Sequence, residues 1–393
     1  MPSWWACATS STDAPSAASG GPDAACCGVR AAGCNRRAPP HMQPIHPPAE
    51  ATDPLSWRIQ WDFGSASVQA LGAMLGPVEF RLDDARHLQV MHVAPWADTS
   101  EARGLPGILR RLRGEWPCVP FGRTDAPTDL PLNWQVIAPD DAWPHGFGAN
   151  HPWHCEHADS QRVDLAIDYP DPSPVARLER RVQAVAGMAA LDVELVVHPR
   201  RSVRLPAGLH PTFRLPGRAG RLQVELGAHE GIFAYPSRST GGASHLLPDQ
   251  RSEHLAAMQG VNGPVDLSRL PLQQDAEELL QVRGLKASVG EAPLRLRYLD
   301  DDATVALSWD TADFPDLMLW ISNRGRQHPP WQGRHVALGA EPVNSFFDLG
   351  RVARAPEGHA LAARLGIRLE AGRPWKTRYR IAANSNSSNQ DRA

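Results

Sequence analysis

The 393-residue chain is 42% hydrophobic and 21% charged with a formal net charge of −3, which suits one large core or two ordinary ones and excludes a disordered chain. Its 40 basic and 43 acidic residues include no long Lys/Arg cluster, so the electrostatic footprint of a nucleic-acid or anionic-membrane binder is missing. No apolar run approaches the roughly 20 residues of a spanning helix, so the chain reads as soluble, with no membrane or nucleic acid as partner and a small uncharged molecule expected instead.

Residues 1–54 hold nine prolines and few branched aliphatics, too little apolar surface to offset ordering, and read as a disordered tail. Cys26, Cys27 and Cys34 with His41 and His46 match no zinc spacing, and Met42 offers an alternative start. With Cys7 also in this stretch, only Cys118 and Cys155 remain for the body, too few for a disulfide framework. The charged and apolar regions of a secretory signal are missing, so a cytoplasmic location is expected.

The body is expected at residues 55–384, with 385–393 as a polar C-terminal tail. Its 37 prolines, 32 glycines and 13 tryptophans in the whole chain argue for strands and turns. Alternating apolar and polar residues predict half-buried strands at Trp57–Trp61, Val78–Leu82, Leu222–Leu226 and Leu294–Tyr298. Thr304–Trp309, Leu317–Ile321 and Arg378–Ile381 are further strand candidates. Val175–Val185 fits either helix or strand, and Asp275–Val282 reads as a helical turn or two. Without βαβ alternation or a fixed repeat, the pattern predicts an all-β, large antiparallel sandwich.

Four segments place His, Glu, Arg and Trp beside Gly and Pro, where loops meet a scaffold. Glu115–Arg123 ends in an arginine able to offer fixed donors to hydroxyls or a carboxylate. His145–Trp153 offers His145 on a glycine turn, with Trp153 either stacking on a ligand or filling core. Its continuation His154-Cys155-Glu156-His157 alternates faces on a strand and so does not form a zinc site. Arg204–Pro216 sets His210 at an apolar edge, where an imidazole can be tuned for acid catalysis. Gly339–Phe347 carries Glu341 in an apolar run, where a carboxylate must meet a donor or a ligand.

In this order, the segments resemble the aldose 1-epimerase (galactose mutarotase-like) superfamily over most of residues 57–384. His145-Gly-Phe with Asn150 and Pro152-Trp153, Gly208-Leu-His-Pro-Thr-Phe and Gly339-Ala-Glu-Pro carry the resemblance. Val93-Ala-Pro-Trp96, Pro120-Phe-Gly-Arg123, Phe314–Trp320 with Pro330-Trp331, and Leu369-Glu-Ala-Gly372 add to it. It implies a β-supersandwich of antiparallel strands and cofactor-free interconversion of the α and β anomers of a sugar. Glu341 would be the base and His210 the acid, Arg123 and His145 would hold hydroxyls, and Trp153 or Trp331 would supply a flat face.

Asp266 is the nearest candidate for the substrate-binding aspartate of the family. Two departures stand out. Gly148-Ala149 replaces the Ala-Arg found in relatives acting on hexose 6-phosphates, which favours a free aldose, and Thr212 replaces an aromatic residue. The alternatives are a non-catalytic carbohydrate-binding protein on the same scaffold and a hexose-6-phosphate 1-epimerase reading phosphate through Arg214 or Arg324. Polysaccharide lyase or hydrolase chemistry is more distant. The expected partner is a sugar, the expected assembly a monomer or homodimer, and no cofactor or metal is expected.

Overall fold

The computed structural model describes residues 56–386 except 140, 239–241 and 288–290. The expected tail at 1–54 lies outside the described residues, as does the C-terminal stretch from 387. Ser385, placed in that second tail by the sequence reading, instead ends the last strand, Trp375–Ser385. No helix among the described residues is long and apolar enough to cross a membrane.

Two large antiparallel sheets dominate. The first has nine strands in the order Arg269–Leu270, Leu222–Leu226, Leu294–Tyr298, Ala303–Trp309, Trp375–Ser385, Ala190–Pro199, Val175–Ala184, Arg162–Asp168 and His154–Ala158. Its strands alternate as a sheet with one covered face should: Ala303–Trp309 buries every second residue. The ambiguous segment at 175–185 is one of these strands, paired on both sides. Its i, i+3 apolar spacing was compatible with a helix, but two neighbouring ladders settle the backbone.

The second sheet runs Arg251–Ser252, Gly231–Ala234, Ala276–Arg283, Asp316–Asn323, Val336–Asn344, Ala207–Leu209 and Pro117–Cys118, with Thr212–Arg214 also pairing to Val336–Asn344. The helical reading of Asp275–Val282 is therefore corrected: Ala276–Arg283 is a central strand, paired to Gly231–Ala234 and Asp316–Asn323. Alternation is masked there because both faces are buried. One face of the sheet sends Leu280, Val282, Leu317, Leu319, Ile321, Leu338 and Ala340 into a core shared with the nine-stranded sheet. The other sends Leu279, Met318, Trp320 and Val343 into a second core under connecting segments that carry Trp96, Trp116, Trp134 and Phe346. Polar residues on that second face, Glu277, Gln281 and Glu341 among them, are thereby buried as well. A buried polar face needs internal partners, and the candidate site is built from them.

Candidate functional site

Strand Val336–Asn344 carries Glu341, and two short strands flank it in one register. Ala207 and Gly208 pair with Asn344 and Val343, while Thr212 pairs with Gly339. Residue 210 thus falls opposite residue 341, on the same face. His210 Nε2 lies 3.2 Å from Glu341 Oε1, and both side chains are almost fully buried. The His210 ring is fixed on its other sides. Its Nδ1 is 3.3 Å from Thr212 Oγ1, Trp116 stacks on it at 4.0 Å between centroids, and its backbone N–H donates to the Trp116 carbonyl. Thr212, in place of an aromatic, thus supplies a hydroxyl to the imidazole.

His145 approaches His210 edge-on, at 5.0 Å between ring centroids. It occupies a left-handed backbone conformation, φ 58°, followed by Gly146 at φ 86°. A Cβ at Gly146 would lie 2.2 Å from the Val119 carbonyl oxygen, so only glycine allows this turn to pass so close to the preceding loop. Asn150 locks the same turn, donating from Nδ2 to the Pro144 and Gly146 carbonyls and accepting from Ile108 N–H. The His-Gly-Phe segment with its later Asn therefore presents one histidine and braces it with one amide.

His145 and His210 line a cavity of about 40 Å³ together with Trp116, Trp320, Trp331 and Arg326. Ile108, Leu109 and Leu112 of the 107–112 turn, with Pro144, line it as well. That volume holds a few waters and is well below the roughly 300 Å³ at which small-molecule pockets begin. Trp116 Nε1 and His145 Nδ1 are buried without a hydrogen-bond partner among the described residues, which leaves ligand-binding capacity in the walls. Arg326 is stacked over Trp331 and Trp320, at 4.5 and 5.0 Å from the ring centroids, and is held by Glu277 at 2.7 Å.

Arg123 is buried and is not among the residues that line this cavity. It donates to Tyr235 Oη and pairs with Asp125, and Tyr235 in turn donates to Asp348 at 2.7 Å. Burial opposes the Arg123 charge, but Tyr235, Asp348 and Asp125 outweigh it and keep the guanidinium protonated. Burial, with repulsion from Asp348, pushes the Glu341 carboxyl well above the ordinary carboxylate range. Burial, with His145 adding to it, pulls the His210 imidazole well below its usual value, and burial takes His145 to about 3. Burial thus disfavours the charged form of each member of the pair.

The structure does not bring Trp153 or Asp266 to this cavity. Trp153 belongs to the core between the sheets and donates its indole N–H to the Gly148 carbonyl, so it fills core and fixes the 145–150 turn. Asp266 is exposed and caps its own turn through Ser268. Trp331 does line the cavity. Arg214 and Arg324 do not: they reach Asp301 and Asp275 respectively. The wall residues missed by sequence reasoning are Trp116, Trp320 and Arg326. Trp116 sits inside the proline-pinned 115–123 segment, and Trp320 ends a stretch counted in the resemblance, but nothing in the sequence around Arg326 marks it.

No protein-family model matches the sequence, and no curated protein does either. Solved structures do match. An aldose epimerase homologue from Caenorhabditis elegans shares 12% identity over 84% of this chain and 98% of its own, with a TM-score of 0.55. Galactose mutarotase-like proteins from Lactobacillus casei and Clostridium acetobutylicum each share 14% identity over 84% of this chain, covering 100% and 94% of their own lengths, both with a TM-score of 0.54. With its two antiparallel sheets and near-complete coverage of these structures, the chain has the galactose mutarotase-like fold.

Proposed function

We propose that the protein is an aldose 1-epimerase-like isomerase that interconverts the α and β anomers of a free aldose, with Glu341 and His210 as its proton-transfer pair. The observation that carries this reading is the register that sets His210, which lines the cavity, opposite Glu341 at 3.2 Å, with both side chains buried. In the ion-pair form, Glu341 accepts the proton of the anomeric hydroxyl while His210 protonates the ring oxygen. The C1–O bond of the ring breaks, C1 becomes a carbonyl and rotates, and reclosure from the other face returns each proton to its donor. The neutral and ion-pair forms carry the same proton count, so a shift across the short contact prepares the catalytic form. His145 would hold a substrate hydroxyl, and Trp331 or Trp116 would face the sugar ring.

A second reading, a carbohydrate-binding protein without turnover, is favoured by the small volume left over His210. Polarimetry on freshly dissolved α-glucose and α-galactose separates the two, with calorimetry on the same samples. Acceleration over buffer, lost by about 100-fold or more in Glu341→Gln and His210→Ala, is the result expected of a general acid–base pair. Sugar binding without acceleration would reject turnover and leave the binding reading.

A further inference from the structure

A larger cleft lies apart from the cavity lined by His145 and His210. It has a volume of about 700 Å³, within the range of small-molecule sites. Trp143, Phe147 and Tyr169 line it with flat apolar surface, and five arginines line it against a single aspartate, Asp141. Two of these arginines are already committed. Arg351 donates to the Trp143 carbonyl and to Asp141, and Arg364 donates to the buried Asp316. Arg201, Arg204 and Arg354 are exposed and pair with no carboxylate among the described residues.

The backbone adds a second observation. Strand Val203–Leu205 pairs with Ile367–Leu369 so that Arg204 stands directly opposite Arg368, which also has no carboxylate partner among the described residues. Like charges facing each other across a strand pair repel, and this ribbon holds Arg204 at the cleft opposite a second arginine, without an internal counter-charge. The cleft wall is nonetheless firmly built. Arg200 gathers the 169–175 turn by donating to the carbonyls of Tyr169, Pro170, Asp171, Ser173 and Val175.

We propose that this cleft is a separate binding site for a small organic dianion, such as a phosphate monoester. Three guanidiniums lack a carboxylate partner while the cleft's one aspartate is held by Arg351, and their planar forks suit phosphate or paired carboxylate oxygens. The aromatic wall takes the organic part of the ligand. The site is independent of the proton-transfer pair, although the loops that carry Arg123, His145 and Asp348 also contribute Pro120, Phe147 and Arg351 to the cleft.

Calorimetry on the full chain at low salt, using inorganic phosphate, glucose 6-phosphate, succinate and glucose, tests this. Glucose 6-phosphate is expected to bind, to weaken with added salt, and to lose affinity about tenfold or more in Arg201→Gln/Arg204→Gln. Affinity is expected to be unchanged in Glu341→Gln. Binding of succinate as well as the phosphate ester supports a site read by charge, whereas binding of phosphate species alone supports the ester as the source. Failure of every dianion to bind, or binding lost in Glu341→Gln and kept in the arginine double variant, overturns the proposal. A circular dichroism spectrum matching wild type distinguishes lost contacts from lost folding.

Discussion

Gly339 shows how closely the proton-transfer pair is packed. A Cβ there would sit 2.7 Å from Glu341 Oε1 and 3.0 Å from the Trp320 Cβ. The carboxylate is the end of a flexible side chain and can yield, whereas the tryptophan is fixed by its indole N–H to Glu277. Gly339→Ala is therefore expected to cost only about 1–3 kcal/mol of stability by overpacking, while moving Glu341 away from His210. Polarimetry should show a rate loss on the order of 100-fold, and a variant that turns over like wild type would mean that the position of Glu341 is not limiting. At this scale the sequence marks His145, His210 and Glu341 as candidates, because a polar residue in an apolar or glycine-bounded context is conspicuous in one dimension. It cannot separate Trp153 from Trp331. Both are tryptophans next to prolines, and only packing decides that one meets Gly148 in the core and the other stacks with Arg326 in the cavity.

Between elements, a fully buried tie is the Glu115–Arg180 pair, joining the segment before Pro117–Cys118 to strand Val175–Ala184 of the nine-stranded sheet. Both groups are fully buried, Arg180 forks onto both carboxylate oxygens, and one guanidinium nitrogen also reaches Tyr379 Oη. Since Glu115 precedes Trp116, this pair also sets the wall behind His210. Arg180→Met is expected to cost about 3–5 kcal/mol in urea unfolding, because it strands a buried carboxylate, and Arg180→Met/Glu115→Leu should recover most of that loss. Equal losses in the single and double variants would show that the ion pair is not the source. Such long-range pairs leave no trace in periodicity, which reads one strand at a time. Strands with one wet face, such as Leu294–Tyr298, are legible for that reason, while Ala276–Arg283, covered on both sides, shows Glu-Glu-Leu-Leu spacing that mimics a helix. The sandwich class is legible from the many alternating strands, but the loop layer that buries the second face of the eight-stranded sheet is not.

Burying that second face moves a set of titratable groups away from their ordinary values. His92, His145, His210 and His335 all have imidazoles held below the usual value, chiefly by burial, with His92 at about 4 and His145 at about 3. Glu277, Glu278, Glu341 and Asp348 have carboxyls raised by burial. The two sets act in opposite directions. A carboxyl raised in the folded state contributes stability below its unfolded value and loses it as pH rises through the folded one. A depressed imidazole contributes fully above 6.5 and loses that contribution as pH falls toward its folded value. Total stability against pH therefore mixes the two, and a variant difference is needed to isolate either. His92 suits this test because it lies outside the proton-transfer pair, packed edge-on against His335 at 4.5 Å with its Nε2 unpartnered. With a folded value of about 4, the stability of wild type relative to His92→Asn should rise by about 3 kcal/mol between pH 4 and pH 7. Urea unfolding of both proteins across that range measures it, and a difference independent of pH would mean that water reaches this imidazole and that the layer over the sheet is open.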